Sequence, residues 1–268
     1  MRYRIFAVAL RGIPAWIKRV PALTPGGDPP IRKYVLVAVA LVFVVGTGHA
    51  AQLGFDNFDY ADGSLVVNSA RVWANHSGTA DDLLVASGQA VVQHGAPSED
   101  ANYAFTSQTA GSVYFGIDFS VDNLGAPYSG TDDEYFASFR DGFALNGRLY
   151  IVEPGASGDY TVGIATTGGT AEAVWATDLT FGTTYRAIVR YDIDNDQAEL
   201  WIDAATLADT SILGAALGGP GDNVSSFALR QSDSSENETV RVDNLVIAGG
   251  FDEVVVAVPV ELQSFSIE

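Results

Sequence analysis

The acidic segment Asp192-Ile-Asp-Asn-Asp196 has the residue types and the spacing to bind a hard cation. It places carboxylates at every second position, and alternate oxygen ligands in a loop can collect around Ca²⁺. Asp192, Asp194 and Asp196 are therefore candidate calcium ligands. The glycine of an EF-hand loop is absent, since Gln197 follows, and strand-like segments flank the loop. The alternative is an Asx-rich hairpin turn that is solvated by water.

Five aromatic residues near predicted turns could bind a sugar, because aromatic rings stack on the apolar faces of pyranoses. The alternative for each is packing in the core or at a sheet edge. The candidates for ligand binding are Trp73, Tyr103, Tyr128 and Trp175, with Tyr160 in a similar position.

The sequence offers little for nucleophilic or transition-metal chemistry. The chain has no cysteine, and only His76 and His94 follow residue 50. There is no Gly-x-Ser-x-Gly elbow, and two scattered histidines do not indicate a zinc site. We expect both histidines in surface loops.

A second acidic loop consists of Asp122 with Thr131–Glu134. Like the loop Asp192–Asp196, it is either a calcium site or a turn that is solvated by water.

The charge of the chain excludes two classes of partner. From Ala51 onward there are seven arginines, no lysine and 32 acidic residues, a net charge of −25. Such a chain repels phosphate backbones, so nucleic acids are excluded. Anionic membrane surfaces are excluded for the same reason.

The elements that position these residues have the two-residue period of strands. In Val113–Val121, every second residue from Val113 is apolar, while Asp118 and Ser120 fall on the other face, which predicts a half-buried antiparallel strand. Tyr185–Tyr191 alternates in the same way, and an acidic turn links it to Ala198–Asp203 as a hairpin.

Further short strands follow at intervals of about ten residues, with Gly, Asp, Asn and Ser in the turns between them. No convincing amphipathic helix and no linker interrupts the pattern, so we predict one all-β domain, a sandwich or barrel. The further strands are predicted at Leu65–Val67, Leu83–Ala86, Ala90–His94, Ala101–Thr106, Tyr135–Arg140, Arg148–Val152, Tyr160–Thr166, Phe227–Gln231 and Thr239–Ile247.

Residues 1–50 are predicted to be an N-terminal extension and a signal peptide. Arg32-Lys33 precedes about a dozen apolar residues, and the small residues that follow end at Ala50. This is the pattern of a secretory signal cleaved after Ala50. A transmembrane anchor is the alternative, but the run is shorter than the roughly 20 residues that a bilayer needs.

Several segments together resemble bacterial exported LamG-like proteins of the concanavalin A-like lectin/glucanase superfamily. The resemblance covers residues 51–254. It implies a two-sheet antiparallel β-sandwich, a jelly roll, whose first and last strands are adjacent, and it implies no activity. The segments are Phe55-Asp-Asn-Phe-Asp-Tyr-Ala-Asp-Gly-Ser-Leu65, Trp73, Val113-Tyr-Phe-Gly-Ile-Asp-Phe119, Gly147-Arg-Leu-Tyr150, Phe181-Gly-Thr-Thr-Tyr-Arg-Ala-Ile-Val-Arg-Tyr-Asp192, Leu200-Trp-Ile-Asp203, Phe227-Ala-Leu-Arg-Gln231 and Val242-Asp-Asn-Leu-Val-Ile247, with Phe251 close behind.

The superfamily also contains laminarinase-type glucanases, which carry a Glu-x-Asp-x-Glu strand. The alternation of that strand puts two carboxylates on one face, as glycoside hydrolysis requires. This sequence lacks the motif, and Glu236, Glu238 and Asp243 have the wrong spacing.

The C-terminal tail, residues 255–268, contains Val258-Pro-Val-Glu-Leu-Gln-Ser-Phe265. This run resembles the start of a C-terminal module in secreted proteins of Bacteroidota-like bacteria, where it often leads to a type IX secretion sorting domain. We expect the tail to be the start of such a module, which is missing here; an accidental resemblance is the alternative.

The sequence as a whole predicts an exported, non-catalytic module for recognition or adhesion, working at the cell surface or outside the cell. An extracellular glycan or a cell-envelope component is the expected partner, with no integral membrane span in the mature chain. No cofactor is certain, and Ca²⁺ is the one candidate. A structural component of an envelope, extracellular matrix or filament is the alternative, and a glycan hydrolase is a third.

Overall fold

The computed structural model describes residues 51–95, 97–130, 134–232 and 236–255. They form sixteen strands and one short helix, Leu65–Asn68 (α1). The strands are Gln52–Asp56 (β1), Gly63–Ser64 (β2), Trp73–Ser77 (β3), Leu84–Ala86 (β4), Gln89–Gln93 (β5), Asp100–Gln108 (β6), Ser112–Val121 (β7), Tyr135–Asp141 (β8), Ala144–Val152 (β9), Thr161–Ala165 (β10), Ala173–Val174 (β11), Tyr185–Asp192 (β12), Gln197–Ile202 (β13), Ile212–Leu213 (β14), Val224–Leu229 (β15) and Thr239–Ala248 (β16).

The strands build two antiparallel sheets. One sheet has nine strands in the order β14-β13-β12-β7-β16-β5-β4-β2, and β1 pairs with β16 beside that path. The other has seven strands in the order β11-β10-β9-β8-β15-β6-β3. The predicted two-sheet antiparallel β-sandwich is confirmed, and so is the predicted contact of the first and last strands, because Gln52 pairs with Ala248.

The main core lies between the inner faces of the two sheets. Val113, Phe115, Ile117, Phe119 and Val121 of β7 are all buried in it, as their alternation predicts. The ring of Phe115 packs edge-on against two rings of the other sheet, Phe139 at 5.0 Å and Phe227 at 4.9 Å between centroids. Apolar burial on this scale is the main stabilising contribution in such a fold.

One predicted strand is wrong. Residues 65–67 belong to α1, in which Leu65 is buried while Val67 is 72% exposed. The Ser64 side chain accepts the Val67 N–H at 3.4 Å and caps the helix. The other predicted strands are present, and the structure adds five that the sequence analysis did not predict: β1, β2, β3, β11 and β14.

The outer faces of the two sheets differ. On the nine-stranded sheet, Phe251 and Val254 cover Tyr114, Ile188 and Trp201 and form a second apolar cluster. The seven-stranded sheet carries a depression on its outer face. No helix in the described part of the chain is long and apolar enough to cross a membrane. The predicted leader, residues 1–50, and nearly all of the predicted tail lie outside the described residues.

Candidate functional site

The depression on the seven-stranded sheet has a volume of about 230 Å³. It lies over β3, β6, β8 and β15, with the β8–β9 hairpin as one wall. Such a volume is far above the roughly 10–15 Å³ that one water molecule needs, so the depression can hold a small ligand. It is lined by His76, Ser77, Asp100, Tyr135, Ser138, Arg140, Gly142, Phe143, Leu145, Ala228 and Arg230.

Small side chains on neighbouring strands make the floor of the depression. Ser138 of β8 lies directly opposite Ala228 of β15, which in turn lies opposite Asn102 of β6. Side chains directly opposite each other in a sheet share a face. Two larger side chains also line the depression: Tyr135 of β8 and Arg230, which directly follows β15.

Two buried polar atoms at the depression have no hydrogen-bond partner among the described residues. These are the hydroxyl oxygen of Ser138, a residue that is 1% exposed, and Nδ1 of His76. A buried polar group without a partner costs about 1–3 kcal/mol, and most such groups are satisfied by protein or by ordered water. Ser138 and His76 therefore have hydrogen-bonding capacity at the depression that the described residues do not use.

The hairpin wall carries a fully exposed aromatic ring. Asp141 pairs with Ala144, so Gly142 and Phe143 form a two-residue loop between β8 and β9. Gly142 has a φ of 56°, which a glycine tolerates in the first loop position of a tight hairpin. Phe143 is 102% exposed. An apolar ring held in water beside polar groups is a platform on which a sugar ring can stack.

Arginine side chains concentrate on this face. Arg230 donates to Glu134 (2.5 Å) and lies 4.4 Å from the ring centre of Tyr135. Arg148 lies 5.0 Å from the same ring centre and donates to backbone carbonyl oxygens. Arg140 has neither an ion pair nor a side-chain hydrogen bond with any residue in the described ranges.

Two titratable groups at the depression have shifted pKa values. Burial raises the pKa of the Asp100 carboxyl to about 6, although the charge of Arg230 and the Gln231 N–H oppose the shift. Burial and the nearby charge of Arg140 lower the pKa of His76 to about 4. At neutral pH the His76 ring is thus neutral, with one nitrogen donating and the other accepting.

The structure does not place the predicted aromatic residues at this depression. Trp73, Tyr128 and Tyr160 are 0–2% exposed, so the expectation that they are available to a ligand is wrong. The Trp73 indole N–H donates to Asp56 at 2.7 Å, Tyr128 donates to Glu238 at 3.5 Å, and Tyr160 stacks on another ring.

The remaining two predicted aromatics are half-buried and pack against the main core. Tyr103 meets the Trp73 ring edge-on at 5.8 Å, and a side chain at Gly54 would collide with it. Trp175 follows the edge strand β11, away from the residues that line the depression. Packing explains both positions.

The carboxylates of the predicted calcium loop bond to the protein itself. Asp192 accepts from the backbone and the side chain of Asn195 (3.1 and 2.9 Å). Asp194 accepts from a backbone N–H of the loop before β7 (3.1 Å), and Asp196 accepts from the Tyr191 hydroxyl (2.7 Å). Within the described chain, no three His, Cys, Asp or Glu side chains converge as metal ligands. The geometry is that of the Asx-rich turn, and a calcium site formed by these three residues is not supported.

Two carboxylates of the second acidic loop also bond to arginine side chains of the protein. Asp122 accepts from Arg241 through both oxygens, at 2.8 and 2.9 Å, and Glu134 pairs with Arg230. Residues 131–133 lie outside the described residues.

The prediction of a surface position is wrong for His94. Its side chain is fully buried, with Nδ1 2.6 Å from an oxygen of the buried Glu238. His76 is half-buried on β3 rather than in a loop. A lone histidine gives no sequence signal for burial, and the partner of His94 lies 144 residues away.

Sequence analysis missed Phe143, Arg140 and Ser138. A signal existed for Phe143, because a glycine between two apolar runs favours a two-residue hairpin loop with the glycine in its first position, and the residue after Gly142 is then the second loop residue. A signal for Arg140 was the scarcity of basic residues after residue 50. No sequence signal pointed to Ser138, since its role depends on the residues opposite it in the sheet.

Solved structures similar to this chain include lectins. The Lotus tetragonolobus seed lectin has a TM-score of 0.45 at 12% identity, covering 74% of this chain and 97% of that one. The metal-free carbohydrate recognition domain of Emp46p has a TM-score of 0.45 at 11% identity, covering 75% and 96%. A sialidase has a TM-score of 0.42 at 11% identity, covering 72% of this chain but 19% of its own. No protein-family model and no curated protein matches the sequence.

The TM-scores of these three structures lie below 0.5 and their identities do not exceed 12%, so they carry no argument about what this chain does. At such identities the likeness concerns the fold alone. The chemistry of a site has to be argued from its own residues, since one fold hosts many functions.

Proposed function

We propose that this protein is an exported, non-catalytic module that binds a glycan in the depression on its seven-stranded sheet. The observation that carries the proposal is the combination of an exposed ring, Phe143, with the buried, unpartnered polar atoms of Ser138 and His76. Sugar recognition needs an apolar surface for the ring face and fixed polar groups for the hydroxyls. Export is supported by the leader-like pattern of residues 1–50.

The absence of catalysis in this proposal rests on the carboxylates at the site. Hydrolysis of a glycosidic bond ordinarily needs two carboxyl groups, about 5–5.5 Å or about 6.5–9.5 Å apart. Among the eleven residues that line the depression, Asp100 alone carries a carboxylate. A single carboxyl group can hold a sugar hydroxyl but cannot supply both the acid and the base or nucleophile.

Phe143→Ala tests the proposal directly. The purified protein is screened against an array of glycans, and the affinity for the best ligand is then measured by calorimetry for the parent and the variant. A ring contact worth about 0.5–1.5 kcal/mol predicts about twofold to twelvefold weaker binding. The matched control is Leu207→Ala, which removes another exposed apolar side chain, in the loop after β13, and should leave the affinity unchanged.

Two results would contradict the proposal. One is an array without selective binding, or a ligand whose affinity is the same for Phe143→Ala and the parent. The other concerns catalysis: cleavage products of the bound glycan, seen by mass spectrometry after prolonged incubation, would overturn the non-catalytic assignment.

A further inference from the structure

Positive charge is scarce in this protein and is unevenly placed. After residue 50 the chain has seven arginines and no lysine against 32 acidic residues. Two of these arginines, Arg140 and Arg230, line the depression, and a third, Arg148, lies beside it on the Tyr135 ring. Three of the seven arginines thus lie at one small concave site.

The arginines of the other sheet are paired with carboxylates of the protein. Arg186 lies 2.8 Å from Asp118, Arg190 lies 2.7 Å from Glu199, and Arg241 lies 2.8 Å from Asp122. Arg230, which lines the depression, likewise forms an ion pair with Glu134.

Arg140 differs from these four residues. It is half-buried and lines the depression, and within the described ranges no carboxylate pairs with it. A guanidinium that is partly removed from water is costly unless an anion compensates it. Its planar fork of N–H donors fits a carboxylate in a bidentate manner.

We propose that the depression binds an acidic saccharide, with the carboxylate of a uronic acid residue held by Arg140. The neighbouring neutral groups, the Ser138 hydroxyl and the His76 ring, then bond to sugar hydroxyls, and Phe143 covers the sugar face. The volume of about 230 Å³ admits one such residue of a longer chain. This inference rests on the proposed glycan-binding function and specifies its substrate class.

A singly charged sugar fits this site better than a heavily sulfated one. Asp100 also lines the depression, and the domain as a whole is strongly acidic, so additional negative charges on the ligand meet repulsion. One guanidinium that no described carboxylate pairs with matches one carboxylate per sugar residue.

The test compares acidic oligosaccharides with their neutral counterparts. Tetrasaccharides of galacturonic, glucuronic and mannuronic acid, their carboxyl-reduced forms and a sulfated tetrasaccharide are titrated by calorimetry at 0.15 M NaCl, where screening is about 8 Å. We expect at least one uronate to bind at least tenfold more tightly than its reduced form. Arg140→Gln should abolish that preference, by lowering the affinity for the uronate to about that of the reduced form.

Two further variants control the result. Arg71→Gln removes the same charge from an exposed position before β3 and should keep the preference for the uronate. Arg140→Lys keeps the charge but lacks the planar set of N–H donors, and we expect an intermediate preference for the uronate over its reduced form. Melting curves establish that each variant is folded.

The outcomes separate this inference from the proposed function. Equal binding of a uronate and its reduced form, or tighter binding of the sulfated sugar, overturns the inference and leaves glycan binding standing. The same holds if Arg140→Gln and Arg71→Gln behave alike. If neither acidic nor neutral sugars bind, the proposed function falls, and the inference falls with it.

Discussion

At the scale of single residues, Asp100 makes ligand binding depend on pH. Its carboxyl lines the depression with a pKa raised to about 6 by burial, since the charge of Arg230 and the N–H of Gln231 only partly offset the desolvation. His94 also acts on Asp100 electrostatically, and the charge of Asp100 contributes to raising the pKa of Tyr135. Asp100 is therefore ionised at pH 8 and largely protonated at pH 5.

We expect a uronate to bind more tightly at pH 5 than at pH 8. The ligand carboxylate stays ionised over this range, whereas Asp100 loses its charge as the pH falls through about 6. Two like charges about 8 Å apart repel by about 0.5–1 kcal/mol at an effective dielectric constant of about 40–80, which corresponds to about a twofold to fivefold change in affinity. His76, with a pKa of about 4, stays neutral throughout most of this range.

Calorimetry on Asp100→Asn provides the control for this pH effect. The amide keeps an oxygen that can accept the Gln231 N–H but cannot titrate, so the affinity of the variant should be flat between pH 5 and pH 8. If the variant retains the pH dependence of the parent, the effect has another origin.

Residue identity predicted burial poorly in this protein. Trp73 and Tyr128 were candidates for ligand binding with packing as the alternative, and His94 was expected in a surface loop. All three are buried, with Asp56 as the partner of Trp73 and Glu238 as the partner of the other two. A residue type and its neighbours along the chain do not reveal such partners. The exposed ring of Phe143, by contrast, follows from purely local turn chemistry.

At the scale of elements, alternation predicted the presence of both β7 and β8 but gave the two faces of β7 only, because the pairing of β8 is irregular. In β7 the pleat is uninterrupted, so the period-two pattern gave both faces correctly. In β8 the pairing shifts twice, between Tyr135 and Ala137 and between Ala137 and Phe139. Bulges move a side chain to the other face. Tyr135 and Ser138 therefore share the outer face, which strict alternation would not allow.

The segment that covers the nine-stranded sheet depends on a glycine in β7. At Gly116 an added methyl group would collide with the carbonyl oxygen of Val254 and lie 2.7 Å from Nη2 of Arg186. Arg186 holds the same carbonyl through Nε and Nη2, at 3.0 and 2.8 Å. This close approach anchors the segment that buries Trp201.

Gly116→Ala should therefore lift the covering segment from the sheet. Overpacking of this kind costs about 1–3 kcal/mol, and we expect that loss in the free energy of unfolding by denaturant titration. Selective excitation of tryptophan should show an emission shift to the red as Trp201 meets water. Gly169→Ala is the matched control, because its methyl group meets open space. Equal stability of the two variants would show that the contact at Gly116 does not hold the segment.

At the scale of the whole molecule, the dominant feature is the excess of negative charge. Composition alone predicted it, with a net charge of −25 from residue 51 onward. The fold offsets part of it through the ion pairs of Arg186, Arg190, Arg230 and Arg241. Four cations cannot compensate 32 acidic side chains, so self-repulsion opposes the compact state.

We therefore expect the melting temperature to rise with salt. The screening length falls from about 30 Å at 0.01 M to about 3 Å at 1 M, which weakens the repulsion among surface carboxylates that are many ångströms apart. A rise of about 3–6 °C between 0.01 and 0.5 M NaCl corresponds to a stabilisation of about 1–2 kcal/mol for a domain of this size. At pH 4, near the ordinary pKa of carboxyl groups, the rise should shrink because fewer carboxylates are charged.

A series in CaCl₂ at constant ionic strength, on the parent and on Asp194→Ala, distinguishes screening from a specific site. Since Asp192, Asp194 and Asp196 bond within their own turn and do not converge, the two proteins should respond alike. A melting temperature that is flat in NaCl would refute the electrostatic argument, and a calcium response that saturates near millimolar and disappears in Asp194→Ala would restore the calcium loop.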